Sequence, residues 1–244
     1  TGAGFRWRRA VGRPDALTTL DGLQTRLGYR FVDLQRLVQA LTHRSMGGID
    51  NERLEFLGDG LLNALIGEAL YLQNPRHDEG ALSRLRSSLV REATLCALAR
   101  RLDLGPHLRL GESERKSGGQ RRDSILADAV EAILAAIYLD GGFDAARQSC
   151  HRWFADALAT LPDPEALKDP KTRLQEWLQS RNRALPVYTV VDASGPPHRR
   201  TFVARCTLTD APQQAEATAG SRRHAEQQAA ERLLQHLTEN IPHA

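Results

Sequence analysis

The chain has 244 residues, 41% hydrophobic and 26% charged, with a mean hydropathy of −0.44. That excludes a single small module and fits a soluble globular chain of one to two domains. No run reaches the about 18 uncharged apolar residues of a spanning helix, which argues against a membrane protein.

Net charge is +3, unevenly spread: residues 1–20 carry +3, residues 21–167 carry −3 and residues 168–244 carry +3. A slightly acidic body with basic ends suits a core that concentrates carboxylates and a tail that meets a polyanion. Cys96, Cys150 and Cys206 are odd in number and scattered, so neither a disulfide framework nor a metal-binding spacing is expected. Free thiols in a reducing cytoplasm are the simplest reading. The charged segment Phe5-Arg-Trp-Arg-Arg9 lacks the apolar stretch of a secretory signal.

In chain order, the first twenty residues are expected to be disordered or a weak polyanion contact. Apolar residues then recur at the helical period over 33–42, 51–73, 80–102, 124–138 and 143–161. Pro75, Gly105-Pro106 and Gly141-Gly142 punctuate them, and strand-like alternation is absent, so this part reads as all-α. Pro162, Pro164 and Pro170 mark a linker. Beyond it, 171–181 reads as a helix with Leu174, Trp177 and Leu178 on one face. Residues 187–191, 201–208 and 213–218 read as strands, with Gly195-Pro196-Pro197 as a turn between the first two. Ser221 caps a last helix striped by Ala225, Ala229, Leu233, Leu234 and Leu237. The fold class is a helical domain followed by a small α+β domain of order α-β-β-β-α.

The segment Asn51-Glu-Arg-Leu-Glu-Phe-Leu-Gly-Asp59 places Glu52, Glu55 and Asp59 at i, i+3 and i+7, on one helix face. That face continues into Leu62 and Ile66, so it is at least partly covered. Asp128 and Glu131 stand i, i+3 in a run otherwise of Ile, Leu, Val and Ala. Buried carboxylates are costly unless their charge is compensated. Two such helices face to face gather Glu55, Asp59, Asp128 and Glu131, which forces protonation or recruits a cation. An all-oxygen donor set suits Mg²⁺ or Mn²⁺ rather than zinc. Hard cations with a water suit phosphoryl transfer or phosphodiester hydrolysis. The competing reading is an exposed or salt-bridged acidic face. Glu79, in Asp78-Glu79-Gly80, reads first as an N-cap or first-turn helix acid, and His43 first as a structural histidine rather than a base.

These residues resemble the ribonuclease III family. The likeness rests on the 51–59 segment, on Leu41-Thr-His-Arg-Ser45, Asp78-Glu-Gly80, Lys116-Ser-Gly-Gly119 and Ile125-Leu-Ala-Asp-Ala-Val-Glu131. The tail resembles a double-stranded-RNA-binding domain through Asp169-Pro-Lys-Thr-Arg-Leu-Gln-Glu176 and Ser221-Arg-Arg-His-Ala-Glu226. The resemblance implies a basic arm at 1–19, an endonuclease domain at 20–160, a linker at 161–169 and the RNA-binding domain at 170–239. It implies a Mg²⁺-dependent endoribonuclease, Mn²⁺ substituting, that cuts double-stranded RNA to 5′-phosphate and 3′-hydroxyl ends with short 3′ overhangs. Processing of ribosomal and other structured precursors in the cytoplasm follows, by a homodimer with no membrane association and no small-molecule cofactor.

Carried onto this chain, the resemblance makes Glu55, Asp59, Asp128 and Glu131 the metal-site acids, with Asp59 and Glu131 foremost in catalysis and Glu52 and Glu79 the outer acids. Phe56 falls where the family plugs the partner subunit, an ordinary core phenylalanine being the other reading. Lys116 reads as a phosphate contact or a solvated loop lysine. For RNA binding, Thr172, Gln175 and Gln179 share a helix face, His198 lies between the first two strands, and Ser221, Arg222 and Arg223 open the last helix. A-form RNA offers 2′-hydroxyls and phosphates across a shallow minor groove, which suits neutral donors and bases of this kind. Three residues depart from common patterns: Glu226 stands where many domains of the RNA-binding family carry a lysine, although ribonuclease III sequences resemble this one there; His224 stands where a lysine is usual, and Gly60 where a serine is.

Overall fold

The computed structural model describes residues 15–196 and 199–239. Residues 1–14 of the basic arm, Pro197 and His198 lie outside them. The chain divides into two compact units between Pro162 and Asp163.

Among the described residues of the first unit, seven α-helices follow one another: α1 (Asp15–Leu27), α2 (Leu34–Ala40), α3 (Glu52–Gln73), α4 (Glu79–Val90), α5 (Glu92–Arg101), α6 (Glu112–Lys116) and α7 (Asp123–Ala159). α1 thus begins at Asp15, inside the first twenty residues expected to be disordered or a weak polyanion contact; the rest of that stretch lies outside the described residues. Gly28 stops α1 in the left-handed region, φ 71°, its N–H donating to the Gln24 carbonyl at 3.0 Å. Asp33 and Asp78 cap α2 and α4 by accepting from Gln35 N and Ala81 N.

One helix was expected over 80–102; the structure has two. Arg91 is extended, with ψ 151°, and the Thr94 hydroxyl donates to the Ser88 carbonyl at 2.8 Å. That carbonyl would otherwise accept from residue 92, so the side chain replaces a helical bond and the chain turns. Both Leu89 and Leu95 are thereby buried. The helices expected at 124–138 and 143–161 are the two segments of α7, separated at Gly142, whose φ of 82° and ψ of −176° are non-helical and kink the chain there as the glycine pair predicts.

Helices α3 and α7 form the centre, with α2 and α5 also against α7. Leu62, Leu65, Ile66 and Leu70 of α3 and Val130, Ile133, Leu134 and Ile137 of α7 are fully or almost fully buried. The two backbones meet at Gly58: a Cβ built there would lie 1.9 Å from the Glu131 carbonyl oxygen. Two residues on, Gly60 has nothing within 4 Å of the equivalent position.

The kink end of α7 is tied down by Asp140, whose side chain is 3% exposed. Its carboxylate accepts from Tyr29 Oη and Val32 N, each at 2.8 Å, and from Asp33 N at 2.9 Å. Arg36 Nε stands 3.7 Å away. Further along, Trp153 Nε1 donates to the Leu27 carbonyl at 2.9 Å.

The second unit holds α8 (Pro170–Gln179), β1 (Val187–Ser194), β2 (Thr201–Thr207), β3 (Gln214–Ala219) and α9 (Arg222–Glu239). This is the expected α-β-β-β-α order. Asp169 caps α8 and Pro170 opens it. The strands form an antiparallel meander, Val187 opposite Thr207 and Thr207 opposite Gln214. β1 runs three residues past its expected end because pairing resumes beyond a bulge at Val191. Ala215 and Ala217 keep the inner sheet face flat, and Leu174, Leu178, Leu233 and Leu237 pack onto it with Cys206. All three cysteines are free and buried. Among the described residues, no helix is long and apolar enough to cross a membrane.

The two glycines of α3 make opposite predictions. Gly58→Ala must push α3 off α7, destabilising by about 1–3 kcal/mol as overpacking does. Gly60→Ala is expected to gain up to about 1 kcal/mol of helix propensity. Thermal unfolding of the two variants separates them: a lowered Tm for the first, an unchanged or raised Tm for the second.

Candidate metal centre and nucleic-acid interface

The i, i+3 spacing puts Glu55 and Gly58 on the same face of α3, so the contact that needs the glycine also faces Glu55 toward α7. Asp128 and Glu131 repeat that spacing on α7. One carboxylate oxygen from each of Glu55, Asp128 and Glu131 lies within 4.8 Å of the others, and all three residues are half-buried. The structure thus brings together three of the four inner acids expected. Asp59 is exposed at the margin of the trio, its Oδ1 accepting from Asn63 Nδ2 at 2.9 Å.

Burial is the main force on all three groups, and like charge the next on Glu131 and Glu55. The Glu131 carboxyl is pushed up to about 8 by burial, then by Asp59, Glu55 and Asp128. Glu55 is raised by burial, then by Asp128 and Glu52. Asp128 is raised by burial against the pull of His43 and Arg44. Arg44 offsets part of the repulsion, yet its ion pair is with Glu52 at 3.1 Å. A half-buried, all-carboxylate donor set whose members resist ionisation fits a hard divalent cation, which restores all the negative charges at once.

A groove of about 400 Å³ opens beside Glu55 and Asp128, walled by Arg44, Ser45, Glu114 and Arg122. Arg122 pairs with Glu114 at 2.7 Å. Sequence reading missed both arginines as site residues, and it missed Gly58; a glycine inside a helix, on the carboxylate face, was the available signal. Of the remaining acids, Glu52 is held by Arg44 and Glu79 is the exposed first residue of α4, with Asp78 as its cap. The structure brings neither into the trio. His43 lines the same groove, its Nδ1 accepting from Ser45 N at 3.2 Å. Lys116 pairs with Glu112 at 2.6 Å. Phe56 is 84% exposed, which sets aside the core reading.

In the second unit, Thr172, Gln175 and Gln179 are exposed along one face of α8. Ser221 Oγ accepts from His224 N at 3.2 Å, capping α9, and Arg222 and Arg223 are exposed in its first turn. His198 lies outside the described residues. Glu226 is buried and ion-paired with Lys171 and Arg222.

Comparison with known proteins assigns both units. A family profile described as Ribonuclease-III-like matches residues 33–158, and one described as Double-stranded RNA binding motif matches residues 170–237. The chain is 58% identical over 220 residues to Ribonuclease 3 of Alkalilimnicola ehrlichii, covering 90% of this chain and 96% of that one. It is 53% identical over 219 residues to Ribonuclease 3 of Actinobacillus pleuropneumoniae, covering 90% and 98%. Among solved structures, the nuclease domain of ribonuclease III from Campylobacter jejuni aligns with a TM-score of 0.56 and 39% identity. That alignment covers 58% of this chain and 99% of the other, whose dimer-forming region has been described as flexible.

Metal-free stability carries the signature of Glu131. Folded protein keeps its proton up to about 8, whereas a free glutamate loses it near 4.5. Unfolding therefore releases a proton between those values, and stability falls as pH rises through the window. In EDTA, Tm is expected to decline from pH 5 to about 8, and Glu131→Gln to flatten that decline. An equally steep decline in the variant would contradict the assignment.

Proposed function

The chain belongs to the ribonuclease III family, and we propose that it hydrolyses phosphodiester bonds of double-stranded RNA with Mg²⁺, Mn²⁺ substituting. The products are 5′-phosphate and 3′-hydroxyl ends with short 3′ overhangs, and the substrates are ribosomal and other structured precursors in the cytoplasm. The observation that carries this reading is the meeting of Glu55, Asp128 and Glu131 oxygens within 4.8 Å across two tightly packed helices. These three hold the cation. When bound, it supplies a Lewis acid for a phosphate oxygen and lowers the pKa of water.

The residues of this chain do the rest. Asp59, open to solvent and oriented by Asn63, accepts the proton of the attacking water. Attack at phosphorus breaks the bond to O3′, which leaves as the 3′-hydroxyl after taking a proton from solvent. Glu52 keeps Arg44 at the edge of the groove, and Glu79 is the remaining outer acid. Thr172, Gln175 and Gln179 read 2′-hydroxyls across the minor groove, while Ser221, Arg222, Arg223 and His198 meet backbone phosphates or the groove edge.

The protein works as a homodimer in which exposed Phe56, beside Glu55, enters the partner's surface. Each subunit then supplies one site for one strand.

Glu131→Gln is expected to abolish cleavage of a long RNA duplex in Mg²⁺ while leaving duplex affinity in EDTA unchanged. Loss of both would argue against a metal-holding role, and EDTA-resistant cleavage by the unaltered protein would defeat the metal reading itself. Phe56→Asp is expected to shift sedimentation from dimer to monomer; an unchanged dimer would remove Phe56 from the interface.

A further inference from the structure

Glu226 is an acidic residue set between Lys171 and Arg222, on a face where it ought to repel a polyanion. It is 8% exposed and lies one turn into α9, bonded across to Lys171 of α8. Oε2 accepts from Lys171 Nζ at 2.8 Å and Oε1 from Arg222 Nε at 2.8 Å. Lys171 is fixed a second time, its ammonium 4.1 Å from the centre of the Tyr188 ring on β1. A neighbouring carboxylate completes the tie in the other direction. Asp169 Oδ1 caps Lys171 N at 2.9 Å, and Oδ2 accepts from Gln227 Nε2 at 2.6 Å. One turn further along, Arg173 bonds Glu231 at 3.0 Å. Three cross-links therefore set α8 and the start of α9 in one register.

The consequence falls on Arg222. Its side chain is 67% exposed and bonded through Nε. Among the described residues, neither of its Nη amino groups has a hydrogen-bond partner. A guanidinium held at Nε presents its two outer amino groups in a fixed plane, which is the fork that grips a phosphate bidentately. We propose that Glu226 is a positioning residue for duplex binding: it holds Arg222 as a pre-ordered phosphate fork and locks that fork at a set distance from the Thr172, Gln175 and Gln179 face of α8. This rests on the reading that these surfaces meet double-stranded RNA. Ordering a long side chain in advance removes a cost that binding would otherwise bear. The buried carboxylate thus strengthens association with a polyanion.

The sign of the effect tests it. The full chain is titrated with a labelled RNA duplex longer than about 16 base pairs, in EDTA, over a range of salt. Removing a negative charge by Glu226→Gln is expected to weaken binding roughly three- to tenfold, the gain from one side chain fixed beforehand. The salt dependence is expected to become shallower by about one phosphate contact. Arg222→Lys keeps the charge and a surface helix position but has no Nε to be held by, and is expected to weaken binding by the same factor. The double variant is expected to bind no more weakly than Glu226→Gln alone. Equal or tighter binding by Glu226→Gln, unaltered binding by Arg222→Lys, or additive losses would each overturn the proposal. Failure of the unaltered protein to bind the duplex would instead overturn the RNA reading on which it stands.

Discussion

The contact of Gly58 with the Glu131 carbonyl is the constraint on which the first unit depends. Without a side chain at 58, α3 settles onto α7 until backbone meets backbone. Glu55 is thereby carried to Asp128 and Glu131. The buried apolar residues of the same two packed helices, Leu62 and Ile66 on α3 and Val130 and Ile133 on α7, make the approach favourable. Packing free energy thus holds together three carboxyls that would otherwise move apart. A cation converts that electrostatic strain into affinity.

The rest of the unit keeps α7 from yielding. Its kink end is fixed by Asp140, which gathers a phenol and two backbone N–H groups near the close of the α1–α2 connection. Its distal half is fixed by Trp153 bonding the last carbonyl of α1. The Asp140 bonds hold the segment that carries Asp128 and Glu131 against small rotations that would relax the acid trio, and the Trp153 bond holds the segment beyond the Gly142 kink. A site of this kind needs rigid elements, since a displacement of an ångström changes how many oxygens a cation can reach.

The two units use buried carboxylates in opposite ways. Glu131 lies among other acids and resists ionisation. At Glu226, burial alone would have the same effect, but bonds from Lys171 and Arg222 hold the carboxyl below its ordinary range. One arrangement attracts a cation from solution; the other carries its cations as side chains and turns them outward. Residue type is the same in both, and the neighbours decide the chemistry.

Much of this was legible in the sequence. The helical period, the proline linker, the strand-rich stretch after it and the i, i+3 carboxylates in apolar runs determined the two folds and marked four acids, because periodicity and burial cost are local properties of the chain. Tertiary structure alone decided that Arg91 breaks 80–102 into two helices, since the competing bond comes from a side chain closing back on Ser88. It alone placed Asp59 outside the trio, exposed Phe56, and made Gly58 indispensable where Gly60 is idle. It also turned Glu226 from an apparent defect into the anchor of two cations. Each of these depends on what faces a residue from another element, and a one-dimensional pattern carries no information about that distance.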